Sequence, residues 1–68
     1  MARYEIIVDG TVGSVVVNAL EGFEVSSASA GRSRLVGEVI DQAALHGALH
    51  RLQDLHIDII DVHRVDDP

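Results

Sequence analysis

Asp41-Gln42-Ala43-Ala44-Leu45-His46-Gly47-Ala48-Leu49-His50-Arg51-Leu52-Gln53-Asp54-Leu55, followed by Ile57-Asp58-Ile59-Ile60-Asp61-Val62-His63-Arg64-Val65, is the stretch that decides the fold. Asp41 suits an N-cap because its carboxylate can accept from the free N–H groups of a first helical turn, and Gln42-Ala43-Ala44 continues with good helix formers. At 100° per residue Leu45, Ala48, Leu49, Leu52 and Leu55 gather on one face, while His46, Gly47, His50, Arg51 and Asp54 fall on the flanks and back. The stretch therefore predicts one amphipathic helix. After His56 the text changes to β-branched residues interrupted by charges, which predicts a strand too polar to be buried on both faces, hence an edge strand. Asp66-Asp67-Pro68 reads as an acidic, frayed end.

Working outward, Tyr4-Glu5-Ile6-Ile7-Val8-Asp9 alternates as a strand does, with Tyr4, Ile6 and Val8 on one face and Gly10 closing it. Phe23 to Ser27 and Arg34 to Ile40 predict a hairpin whose turn runs from Ala28 to Arg32, with Gly31 free to take positive φ. The stretch Thr11 to Gly22 reads two ways. Ser14 as a cap and Asn18-Ala19-Leu20-Glu21-Gly22 favour a short helix, whereas Val15-Val16-Val17 favours a strand. With the helix, the chain is a single α+β domain over residues 1–68 in ferredoxin-like β-α-β-β-α-β order, an antiparallel sheet with two helices on one face. With the strand, it has four or five strands and one helix.

Composition limits what such a domain can do. A chain of 68 residues with one Phe, one Tyr and no Trp has a thin aliphatic core, so a shared core between subunits is a natural way to complete it. The absence of cysteine excludes disulfides, thiolate metal sites and cysteine nucleophiles. Eleven acidic residues against five basic ones give a net charge of −6, which repels nucleic acid. No run is long or apolar enough to span a membrane, and Met1 to Glu5 is not followed by the apolar core of a signal peptide. A cytoplasmic protein is expected.

Residues from Leu20-Glu21-Gly22-Phe23 through Gly31 and Gly37 to Asp41-Gln42-Ala43-Ala44-Leu45-His46-Gly47, Leu52, Asp54-Leu55 and Ile59-Ile60-Asp61-Val62 resemble a group of short bacterial proteins of unknown function. Their shared text looks like G-x-x-V-x-G-x-x-x-D-Q-A-A-L-H-G-x-L-x-R-L-x-D-L-G followed by an apolar strand. The resemblance covers most of the chain and implies the ferredoxin-like order, but it brings no activity with it. His56 stands where those relatives end the helix with glycine, and the aromatic residues they place before the Phe23 strand are absent.

Candidate chemistry is sparse. His46 and His50, one helical turn apart, could present two ligands to a divalent metal, as could His56 with Asp58 or Asp61 with His63. Surface histidines are the simpler reading, and no cofactor is expected. Gly10-Thr11-Val12-Gly13-Ser14 lacks the lysine and spacing of a phosphate loop, and no serine has a base beside it in sequence. A non-enzymatic role follows. If Tyr4, Ile6, Val8, Leu35 and Val39 face the helices, Ile7 and Val36 face the other way among Glu5, Glu24, Arg34 and Glu38. Glu5, Ile7, Arg34, Val36 and Glu38 are therefore the candidate contact residues of a module that associates with itself, as a homodimer or higher oligomer, or with a protein partner. The alternative is a metal- or pH-responsive module using the histidines.

Overall fold

The computed structural model describes residues 2–13, 16, 18, 20 and 22–65. The described elements are strands β1 (Ala2–Asp9), β2 (Phe23–Ser29) and β3 (Arg32–Val39), helix α1 (Gln42–Asp54) and strand β4 (Ile59–Arg64). They form one antiparallel sheet in the order β2-β3-β1-β4. This is the 4-1-3-2 order of a ferredoxin-like sheet, but among the described residues the architecture is the alternative of four strands and one helix rather than the two-helix ferredoxin-like form. The other helix was expected within residues 11–22, where the described Val16 and Asn18 are helical. Positions 14, 15, 17, 19 and 21 of that stretch lie outside the described residues, as do 66–68 of the acidic end.

Helix α1 begins as its sequence requires. The Asp41 side chain accepts from the Ala44 N–H at 2.8 Å, and the Gln42 amide donates to the Tyr4 hydroxyl at 2.9 Å, fastening the first turn to β1. Leu45, Ala48 and Leu52 are buried, with Leu49 at the margin. Leu55, expected on the same stripe, is 47% exposed because it is the C-cap, where the chain leaves the helical path. The end of the helix is a Schellman motif: Ile57 N–H bonds to Leu52 C=O and His56 N–H to Gln53 C=O, each at 3.0 Å, with His56 at φ 60°. His56 and Asp58, offered by the sequence as a ligand pair on the last strand, consequently precede β4.

The apolar face of α1 meets Ile6 and Val8 of β1, Phe23 of β2, and Leu35 and Val39 of β3, with Leu20 completing the buried cluster. Gly37 sits in this face because nothing larger fits. A Cβ there would stand 2.6 Å from the Phe23 ring and 2.6 Å from the Gly22 carbonyl oxygen. The hairpin turn is tighter than the five residues read from sequence. Ser29 pairs with Arg32, leaving only Ala30 and Gly31, at φ 53° and 73°, as a primed two-residue turn. Ser33, 1% exposed, is the one buried hydroxyl among the described residues. Its Oγ donates to Gly10 C=O at 2.8 Å and accepts from Val12 N–H at 3.2 Å, so the chain leaving β1 is pinned to β3.

Candidate functional site

Strand pleating sends alternate residues to the face opposite α1, and strand register decides which of them meet. Across β3, β1 and β4 the registers Glu5↔Val36, Ile7↔Arg34, Arg3↔Glu38, Glu5↔His63 and Ile7↔Asp61 put all these side chains on one face. Glu24 joins them from β2, opposite Val36. All five residues expected from sequence to form a contact surface, Glu5, Ile7, Arg34, Val36 and Glu38, are thus brought together. No described element covers them.

The centre of the face differs from the small apolar patch ringed by charge that alternation suggested. Glu5 lies in the middle, with a side chain only 12% exposed, flanked by half-buried Ile7 and Val36. Burying a carboxylate is costly unless it is compensated. Here Arg34 Nε stands 2.6 Å from Glu5 Oε1, and His63 Nε2 stands 3.4 Å from Glu5 Oε2. The other ring nitrogen of His63, Nδ1, is 2.7 Å from Asp61 Oδ2. A chain of four side chains, Arg34, Glu5, His63 and Asp61, therefore crosses three strands. No buried side-chain nitrogen or oxygen among the described residues lacks a hydrogen-bond partner.

The sequence placed Asp61 and His63 on a common face but did not join them to Glu5. That contact depends on the pairing of β1 with β4, whose residues are nearly 60 positions apart, and on the register that runs from Tyr4↔Arg64 to Ile7↔Asp61. No local pattern encodes either. The helical pair His46 and His50 is exposed, and His50 Nδ1 lies 3.4 Å from Asp54 Oδ2. Among the described residues no group of three or more His, Cys, Asp or Glu is arranged to hold a metal. No described helix is long and apolar enough to cross a membrane.

Against known proteins, residues 3–63 match a family described as "Domain of unknown function (DUF8691)". No curated protein matches the chain.

Proposed function

Since the chain belongs to that family of domains of unknown function, no activity comes with its membership, and we propose that it works by association through the uncovered sheet face, its occupant being a second copy of itself. The observation that carries this reading is the row Glu24, Val36, Glu5, His63, in which a nearly buried carboxylate is already compensated by Arg34, approached by His63 and bordered by Val36 and Ile7. Such a face presents few uncompensated charges to be stripped of water when another surface covers it.

Charge order along the strands favours a copy of the same face. A two-fold axis parallel to the strands, between β1 and β3, lays β3 of one copy over β1 of the other and β2 over β4. In that arrangement Glu38 meets Arg3, Arg32 meets Asp9 and Glu24 meets His63, each pair occurring twice. Aligned packing of two twisted sheets is a common solution for antiparallel faces. Burial of Ile7 and Val36 from both copies would supply the apolar centre.

Light scattering over a tenfold concentration range tests this directly. The expected result is a mass of twice 7.3 kDa that falls to a single copy in the Ile7→Lys, Val36→Lys double variant, with helical circular dichroism retained. A milder variant, Glu38→Arg, should weaken the dimer without disturbing the core, and Arg3→Glu added to it should restore association. A single-copy mass for the unaltered chain at all concentrations would overturn the reading.

A further inference from the structure

On the helix side of the sheet a groove of about 500 Å³ runs between α1 and the end of β3. Its floor is apolar and buried, made by Leu20, Val39 and Ala48. The helix supplies one wall with Gly47 and Arg51, and Ile40 stands on the other, 75% exposed and the most exposed large apolar residue among those described. Gly47 keeps the groove open. Glycine inside a helix is unfavourable relative to alanine, yet the fold of one copy makes no use of it, since a Cβ at position 47 would meet nothing within 4 Å and its φ is not left-handed. Arg51, one turn further along, carries no ion pair or side-chain hydrogen bond among the described residues. On the strand-side wall the Glu38 carbonyl oxygen lies beside Gly22, 3.4 Å from where a Cβ of that glycine would stand.

We propose that this groove binds a small aliphatic carboxylate, its chain lying on Leu20, Val39 and Ala48 beside Ile40 and its head on the Arg51 guanidinium. Ligand sites are typically concavities of about 300–1,000 Å³, mainly apolar, with a few polar groups that fix orientation. A guanidinium matches a carboxylate with two parallel N–H donors, and Arg51 gives up no bridge within the chain to do so. The space left by Gly47, one turn before Arg51, lets the aliphatic chain approach the helix backbone beside the charged head. An ammonium on the same ligand would face the Glu38 carbonyl oxygen. A simple short-chain acid and an aliphatic amino acid are therefore two sources of one recognisable chemistry. The groove lies on the side of the sheet away from the association surface, and its occupation does not depend on that reading.

The test follows backbone amide shifts of isotope-labelled protein during titration with isocaproate, with leucine and with the neutral isocaproamide. Saturable shifts are expected at Gly22, Ile40, Gly47 and Ala48. The dissociation constant for isocaproate should be on the order of 1 mM, the scale for about eight non-hydrogen atoms in an open groove, and the amide should bind about tenfold more weakly. Leucine binding more tightly than isocaproate supports an amino acid as the source, and weaker binding supports a simple acid. Arg51→Gln should bring isocaproate down to the level of the amide. Gly47→Leu fills the groove and should abolish binding while raising the thermal midpoint by about 4–8 °C, so that lost binding is not lost folding. No saturable shift with either carboxylate, equal binding of acid and amide, or binding that survives Gly47→Leu would overturn the site.

Discussion

Phe23 and Gly37 are cross-strand partners, and the aromatic ring occupies the space that a side chain at position 37 would need. Tyr4 of β1 pairs with the same glycine from the other side, so one residue without a Cβ sits between the only two aromatic residues of the chain. The glycine is a packing requirement of the core face, because a Cβ would come within 2.6–2.7 Å of ring carbons and of a backbone oxygen.

Gly37→Ala should therefore destabilise, by about 1–3 kcal/mol, as overpacking of a tight core does. Urea unfolding would show the midpoint falling with little change in slope. An alanine chain as stable as the parent would mean that Phe23 moves aside at little cost.

Ser33 is the second place where a single atom matters. Removing its hydroxyl in Ser33→Ala leaves Gly10 C=O without its donor and Val12 N–H without its acceptor. A loss of about 1–3 kcal/mol is expected, or a drop in melting midpoint of several degrees for a domain of this size. Amide exchange at Val12 should accelerate more than exchange in the centre of β1.

His56 holds the left-handed position of a Schellman motif, a conformation that glycine adopts with far less strain. His56→Gly should stabilise by about 0.5–1 kcal/mol, the relief of steric strain exceeding the greater entropy of glycine in the unfolded chain. Calorimetric melting checks the sign, and a lowered midpoint would show that the Nδ1 contact to Asp54 C=O, at 3.3 Å, outweighs the strain.

Ala30, at φ 53°, is the other strained non-glycine residue among those described. Ala30→Asn converts the turn to Asn-Gly, the preferred pair for two residues of positive φ. A gain of about 0.5–1 kcal/mol in urea unfolding is expected.

How far these features could be read from sequence follows from their range. The cap at Asp41, the stripe of Leu45, Ala48 and Leu52, and the alternation of Ile6 and Val8 are local, and the structure has them as expected. The tight turn at Ala30 and Gly31 was half visible, since Gly31 announced positive φ but Ala30 did not. Ser33 gives no sign of its role in the sequence, because its partners lie more than 20 positions away. The five face residues followed from pleating together with the ferredoxin-like order, which makes β1 and β3 neighbours. The burial of Glu5 and its approach to His63 did not, since they depend on which strand lies beside β1 and in what register.

The position of β1 has a consequence for the order of events during synthesis. It is flanked by β3 on one side and β4 on the other, yet β4 is the last strand of the sheet to be made. Until β4 pairs with it, β1 is an open edge on the side where Arg3 C=O and Asp9 N–H later find their partners. Pairing across such a long separation is slow compared with helix or hairpin formation. The interval leaves a short row of unpaired backbone groups open to other chains, and the speed with which β4 arrives is what limits it.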